Sequence, residues 1–263
     1  MEILVGADIE MFISDKEQKI ISAEPFIQGS KHKPFMWDEG YGIQLDNVMA
    51  EFTMPPSSSK QEFIYSIKKS IEYIQSQIPK DCKVVGLPTA YLDKKELMSE
   101  SAQTFGCEPD YNAYSLSIQR VKRKKANPLM RTAGGHIHIG YDNPTPFKGG
   151  TRLYKDERQV IVKNMDALIG VPLVLIEPDN ERKLLYGKAG SFRPKPYGLE
   201  YRTPSSYYVE IGLEGWVFDQ AVEAAQRVND KQLAKYYKHC QYAIDNNDKH
   251  LAEYLINKLN VKL

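Results

Sequence analysis

Polar and apolar residues alternate along three short stretches of the chain, at 7–11, 135–139 and 199–203. This is the pattern of a β-strand with one apolar face and one polar face. The polar positions are, in chain order, Asp8 and Glu10, His136 and His138, and Glu200 and Arg202. An ordinary solvated sheet face mixes Lys, Thr, Gln and Ser, so a face of acids, imidazoles and an arginine indicates a functional site.

Isoleucines at three- and four-residue steps predict a helix over 60–77, which Ser59 and Glu62 begin with the pattern of a capping box. The other strands are expected at 3–13, 43–54, 83–87, 136–140 and 198–203, and the other helices at 156–169, 214–228 and 231–260, the last broken near Asn246 and Asn247. This mixture predicts an α+β fold with a largely antiparallel sheet. No stretch resembles an interdomain linker, so a single domain over 1–263 is expected.

The overall composition gives no reason to expect a nucleic-acid-binding, membrane or secreted protein. Thirty-five basic and 34 acidic residues leave a formal net charge of +1, which calls for neither nucleic acid nor an anionic membrane as a partner. Three scattered cysteines lack the spacing of a metal site and favour a reducing compartment. The first residues contain no signal peptide or membrane span, so a cytoplasmic protein is expected.

Carboxylates dominate the candidate metal ligands. Glu51 lies between apolar neighbours and is expected to be partly buried, so it needs a partner. Asp46 would face the other way in one regular strand and ranks below Glu51. Carboxylates with one imidazole and no thiolate favour Mg²⁺ or Mn²⁺ over Zn²⁺. The four acids Asp8, Glu10, Glu51 and Glu200 could lie close together only around two or more divalent cations, and several Mg²⁺ ions usually imply phosphates.

Basic residues that could bind phosphate precede the third polar stretch: Arg182, Lys183, Lys188, Arg193 and Lys195. They do not follow the order of a P-loop, so a nucleotide would be held by side chains and metal. The alternative is a solvated basic loop. A denser basic run at 120–125 could contact nucleic acid or an acidic substrate, but a surface loop is the simpler interpretation, and nucleic acid is not an expected partner.

Each polar pair also has a purely structural explanation when it is taken alone. The acids of the first stretch could be a solvated strand face, and the two histidines could be a hydrogen-bonded pair. Glu200 and Arg202 could form an ion pair of little energetic weight. The occurrence of all three pairs in one chain favours a metal and phosphate site.

Six segments, taken in order, resemble a known family: 6–10, 29–34, 51–56, 105–110, 134–140 and 186–202. With this set the chain resembles the glutamine-synthetase-like carboxylate-amine ligases, and most closely the phage-encoded COOH-NH2 ligases of type 2. The resemblance implies a glutamine-synthetase-like catalytic fold, in which a curved, largely antiparallel sheet is backed by helices.

The resemblance also implies roles for individual residues. The implied metal ligands are Asp8, Glu10, Glu51, His136 and Glu200. Glutamate-cysteine ligases have Glu where this chain has Asp8. With the basic residues named above, the candidate nucleotide-binding residues become Arg182, Lys188, Arg193, His138 and Arg202, and the candidate catalytic residues are Arg202, Arg193 and Lys188. Arg202 resembles the arginine that contacts the transferring phosphate, and His138 matches a less constant position.

The implied activity is ATP- and Mg²⁺-dependent amide formation. ATP would phosphorylate a small-molecule or peptide carboxylate, and an amine would attack the resulting acyl phosphate. Two alternatives stay open: a metal-dependent hydrolase that uses the same site, and a catalytically inactive binding module. The sequence leaves the substrates and the oligomeric state undetermined, and a host cytoplasm follows only from the phage resemblance.

Overall fold

The computed structural model describes residues 2–103, 110–119, 127–141 and 152–262. The basic run at 120–125 and the motif residues 105–109 lie outside the described residues.

One large sheet forms the centre of the described structure. Its strands and those of a small second sheet are β1 (Ile3–Ser14), β2 (Ile20–Ile21), β3 (Phe35–Asp38), β4 (Tyr41–Asp46), β5 (Met49–Thr53), β6 (Lys83–Val85), β7 (Thr89–Tyr91), β8 (Asp110–Asn112), β9 (Ile118–Gln119), β10 (Met130–Thr132), β11 (Gly135–Tyr141), β12 (Ser191–Lys195) and β13 (Gly198–Tyr201). The main order is β3-β4-β5-β1-β11-β13-β12-β8-β9, and β2 and β6 also pair with β1. Strands β7 and β10 form the second sheet.

Every pairing between these named strands is antiparallel. The described helices are α1 (Lys60–Gln77), α2 (Glu100–Gln103), α3 (Arg152–Met165), α4 (Val171–Ile176), α5 (Tyr207–Glu210), α6 (Glu214–Gln226), α7 (Lys231–Ala234), α8 (Tyr237–Asn246) and α9 (Lys249–Leu259). The prediction of an α+β fold with an antiparallel sheet backed by helices is confirmed.

The apolar face of the sheet forms the main core together with helices α1, α3 and α6. Ile9, Phe52, Ile137 and Tyr201 from four adjacent strands are fully buried there. Burying a large apolar side chain contributes about 2 kcal/mol relative to leaving it exposed. The helices therefore hold the sheet from one side and leave its polar face to the site.

The helix predicted over 60–77 is confirmed as α1. It begins after Ser59, whose hydroxyl accepts a hydrogen bond from the backbone N–H of Glu62 at 3.3 Å. Phe63 and Ile67 are buried on its inner side. The predicted break in the C-terminal helix is also present, because Asn247 adopts a left-handed conformation that ends α8.

The single strand predicted over 43–54 is wrong. The segment is a hairpin of β4 and β5 that turns at Asn47, whose φ is +57°. Asparagine tolerates this left-handed conformation better than most residues, so the chain reverses there. Asp46 pairs with Met49 across the turn and lies on the same face as Glu51. The premise that Asp46 faces the other way is therefore wrong, while its rank below Glu51 as a metal ligand stays a prediction.

The helix predicted at 156–169 is part of a longer helical segment. Helix α3 continues through a π-helical turn, Asp166–Gly170, into α4. Among the described residues, one stretch, Glu157–Ile176, is long and apolar enough to cross a membrane, but 72% of its apolar window is buried inside the protein. Such burial is typical of a helix that runs through a protein core.

Candidate metal and phosphate site

Antiparallel pairing brings the polar pairs of the sequence onto one face of the sheet. The paired positions are Asp8 with His136, Glu10 with Glu51, His138 with Glu200, and Arg193 with Glu200. Side chains at directly opposed positions of an antiparallel pair lie on the same face, about 5 Å apart. The structure therefore brings together all five residues that the sequence suggested as metal ligands.

One group of possible ligands consists of Glu10, Glu51 and His136, whose ligand atoms all lie within 4.8 Å of one another. Glu10 Oε2 accepts a hydrogen bond from the backbone N–H of Gly134 at 2.5 Å, and Glu51 Oε2 accepts one from Gln44 Nε2 at 2.5 Å. Both carboxylates are thus held in place by donors outside the group.

Gly134 lies directly against the imidazole of this group. A Cβ atom at Gly134 would come within 2.2 Å of His136 Nε2. Any other residue at this position would force the imidazole or the strand to move. The glycine before β11 is therefore a requirement for the position of His136.

The acids of this group are too crowded to be fully ionised by themselves. Burial, followed by the nearby charge of Asp46, raises the pKa of Glu10 to about 7, although the N–H of Gly134 acts to lower it. Burial also raises the pKa of Glu51 well above its usual value, together with the charges of Glu10, Asp46 and Asp8. Binding a cation would relieve this repulsion, so the residues present fit a divalent metal ion.

A second group of possible ligands consists of Asp8, His138 and Glu200, again with ligand atoms within 4.8 Å of one another. Asp8 Oδ2 lies 3.0 Å from His138 Nε2, and the other ring nitrogen of His138 is hydrogen-bonded to the hydroxyl of Tyr197. The Asp8 side chain is 22% exposed, whereas that of Glu200 is 2% exposed. This group lies at the more open end of the site.

Cationic side chains surround Glu200. Lys195 Nζ lies 2.7 Å from Glu200 Oε2, Arg193 NH1 lies 3.7 Å from Oε1, and Arg202 also binds Oε1. Burial alone would raise the pKa of Glu200, but the surrounding positive charges, Arg202 first, lower it well below its usual range. Glu200 therefore stays ionised and separates an anionic part of the site from a cationic part.

Asp110 holds the two arginines of the cationic part. Its Oδ1 atom lies 2.9 Å from Arg202 Nε and 3.2 Å from Arg193 Nε. Arg202 NH1 also lies 3.2 Å from His136 Nδ1, in hydrogen-bonding range. Burial and the charge of Arg202 lower the pKa of His136 well below its usual value, which keeps the imidazole neutral. A neutral imidazole is the form that binds metal ions.

Two predicted phosphate-binding residues are not placed as expected. Arg182 is buried, and its NH1 and NH2 donate to the backbone carbonyls of Thr203 at 2.7 Å and Arg202 at 3.2 Å. It thus holds the chain that follows β13. Lys188 is exposed, and its charge lowers the pKa of Asp245. The buried, backbone-bound position of Arg182 departs from the solvent-facing basic loop that the sequence predicted, whereas the phosphate contact of Lys188 stays a prediction.

Sequence reasoning missed or underrated four residues of the site. Gln44 and Asp46 alternate with apolar residues in β4, so their signal was present but was hidden by the unrecognised hairpin. Asp110 closes one of the family-like motifs, although its contact with two arginines is visible only in the structure. Tyr197 lies in the short connection between β12 and β13, where no pattern marked it.

Comparison with known proteins gives one family match. Residues 128–255 match the family described as phage phiEco32-like COOH.NH2 ligase-type 2. No curated protein matches the chain. Similar solved structures include a bifunctional glutathione synthetase from Pasteurella multocida (TM-score 0.47, 9% identity, 98% of this chain covered) and a novel glutamine synthase homolog (TM-score 0.44, 12% identity, 98% covered).

The chain spans 49% of the first of these solved chains and 64% of the second. The family match includes His136, Glu200 and Arg202 but not β1, which carries Asp8 and Glu10. Over residues 128–255, the predicted resemblance of this chain to the phage carboxylate-amine ligases of type 2 is confirmed.

Proposed function

We propose that this protein is an ATP- and Mg²⁺-dependent ligase that joins a carboxylate and an amine through an acyl phosphate. The observation that carries the proposal is the charge arrangement on the polar sheet face. Two groups of carboxylate and imidazole ligands lie directly beside three cationic side chains, and Glu200 contacts both parts. This is the arrangement that metal-bound phosphates need.

The donor set suits Mg²⁺ or Mn²⁺. Glu10, Glu51 and His136 would hold one ion, and Asp8, His138 and Glu200 would hold a second. Hard divalent cations prefer oxygen ligands, and no thiolate is present in either group. When bound, such ions would neutralise the negative charge of the phosphates.

The cationic residues would bind the phosphoryl group that is transferred. Arg202 and Arg193 are fixed by Asp110, so their orientation costs little reorganisation during the reaction. Lys195 adds a third positive charge next to Glu200. In this proposal Arg202 and Arg193 bind and orient phosphate, and a role for Lys188 is a prediction without a contact to support it.

The chemistry needs no nucleophile from the protein. A substrate carboxylate oxygen forms a bond to the γ-phosphorus as the bond to ADP breaks. The amine nitrogen then bonds to the acyl carbon, phosphate leaves, and the nitrogen loses a proton. The site contributes position and charge, which are the main sources of rate enhancement in phosphoryl transfer.

The test is nucleotide turnover with Mg²⁺ against a pool of amino acids and cell extract, with ADP and new amides followed by mass spectrometry. We expect ADP together with a product whose mass is that of an acid plus an amine minus water, and loss of both in EDTA. Glu72→Gln, an exposed acid on α1, is the control variant for Glu200→Gln. Metal-dependent turnover of a substrate without ATP would point to a hydrolase. Failure to bind nucleotide would point to a binding module.

The partners and the setting are part of the same proposal. The substrates are small-molecule or peptide carboxylates and amines, the whole chain acts as one catalytic domain, and the reaction takes place in the cytoplasm of a host cell. The family match supports this proposal for residues 128–255.

A further inference from the structure

A cleft of about 390 Å³ opens beside the second ligand group, where β1 begins and β11 ends. Asp8 and His138 are among its lining residues, and most of its lining is apolar. Its volume is at the lower end of the range of about 300–1,000 Å³ that is common for small-molecule sites. The cleft therefore has room for one ligand of amino-acid size next to the proposed site of phosphoryl transfer.

Two glycines make up the floor of the cleft. Gly6 is opposite His138 and Gly140 is opposite Leu4, so all four positions lie on the polar face of the sheet. A Cβ atom at Gly6 would meet only His138 Cβ at 3.6 Å and Pro56 Cα at 3.9 Å, which are ordinary contacts. The packing of the protein therefore does not require glycine at position 6. What the missing side chain provides is space above the sheet.

The lining of the cleft is mostly apolar and includes the carboxylate of Asp8. Its apolar part includes Leu4, Met54, Pro56 and Tyr197. Among the described lining residues Lys195 is the permanent cation, and its ammonium is bound to Glu200 at 2.7 Å. Asp8 would give one carboxylate oxygen to a metal ion, and because its side chain is 22% exposed, its second oxygen could accept a hydrogen bond from an amino group in the cleft. A ligand with an apolar body and a positively charged end fits this lining.

We propose that the cleft binds the amine substrate and that this substrate is a primary amine with an apolar side chain, such as that of leucine or phenylalanine. The inference rests on the proposed ligase function. The side chain lies over Gly6 and Gly140 against Met54 and Tyr197. The amino group points towards Asp8, next to the place where the acyl phosphate forms.

The experiment measures amine binding by calorimetry without nucleotide, so it does not depend on turnover. The probes are phenylalaninamide, leucinamide and glycinamide, with 3-phenylpropionate as an apolar carboxylate. We expect phenylalaninamide to bind at least about tenfold more tightly than glycinamide, because burial of an apolar side chain is worth at least one factor of ten. We expect 3-phenylpropionate to bind more weakly than phenylalaninamide.

A graded series at Gly6 locates the binding. Gly6→Val fills the floor of the cleft and should weaken phenylalaninamide binding at least tenfold while leaving glycinamide little changed. Gly6→Ala adds one carbon and should have a smaller effect, which makes it the matched control. Valine is also favoured in strands, so an unchanged melting temperature is expected for both variants. Met54→Ala should weaken binding of the aromatic amine by removing a wall.

Equal affinities for glycinamide and phenylalaninamide, or normal phenylalaninamide binding by Gly6→Val, would overturn the proposal. The proposal would also be overturned if adenosine competed with phenylalaninamide and Gly6→Val abolished this competition. The cleft would then be a nucleoside site. The two proposals fail differently. Selective amine binding without any ATP turnover contradicts the ligase alone, and turnover that is indifferent to the amine side chain contradicts the cleft assignment alone.

Discussion

Replacing Glu10 by glutamine should stabilise the protein in the absence of metal ions, and the gain should grow with pH. Glu10 is only 8% exposed, and burial together with the charge of Asp46 raises its pKa from 4.5 to about 7. A glutamine has the same shape and keeps an oxygen that can accept the N–H of Gly134, but it carries no charge. The substitution therefore removes a buried charge without removing the hydrogen bond.

The direction of the pH dependence follows from the raised pKa. Between about pH 4.5 and pH 7 the folded protein holds a proton on Glu10 that the unfolded chain has already lost, so the free energy of unfolding falls as the pH rises. Above pH 7 the penalty is constant. A shift from 4.5 to about 7 is about 2.5 units, which corresponds to about 3 kcal/mol at about 1.4 kcal/mol per unit.

Urea unfolding in EDTA at pH 5 and pH 8.5 measures the effect. We expect wild type and Glu10→Gln to differ little at pH 5 and the variant to be more stable by about 3 kcal/mol at pH 8.5. Glu72→Gln on α1 is the control and should behave like wild type at both pH values. Adding Mg²⁺ at pH 8.5 should stabilise the wild type more than the variant, because the variant keeps the Asp8, His138 and Glu200 group but lacks one charged ligand of the other group.

An equal stability difference at both pH values would refute the reasoning, since it would show that the substitution acts through packing and not through charge. A variant that is less stable than wild type at pH 8.5 in EDTA would also refute it. If Mg²⁺ stabilised Glu10→Gln as much as wild type, Glu10 would not be a metal ligand.

Three further predictions concern other parts of the site and its support. Glu200→Gln should weaken Mg²⁺-dependent nucleotide binding at least tenfold in calorimetry and abolish ADP formation. The reason is that it removes the anion that binds Lys195 and Arg202. Near-normal turnover would contradict the assignment. Gly134→Ala should weaken Mg²⁺ affinity at least tenfold by displacing the imidazole that lies 2.2 Å from the added carbon, and unchanged affinity would show that the strand yields instead. Asp166→Asn should raise the melting temperature more at pH 8.5 than at pH 5. Burial raises the pKa of Asp166 from 3.8 to about 7, so the wild type loses stability as the pH rises through that window. A gain of the same size at both pH values would contradict this prediction.

The alternation of polar and apolar residues was sufficient to predict which side chains share a face within one strand. Asp8 and Glu10, the two histidines of β11, and Glu200 with Arg202 could be assigned to polar faces without a structure, because side chains two apart in a strand point the same way. Helix α1 was equally predictable, since its apolar spacing and its capping serine are local signals.

Which strands are neighbours was decided only by the tertiary structure. A period of two says nothing about the partner of a strand, so the pairing of Glu10 with Glu51 and of His138 with Glu200 depends on contacts between distant parts of the chain. The reversal at Asn47 moved Asp46 onto the acidic face, and a single backbone conformation was enough to do so. The contact of Asp110 with two arginines and the glycine-floored cleft likewise arise from packing over long sequence separations, which no local pattern encodes.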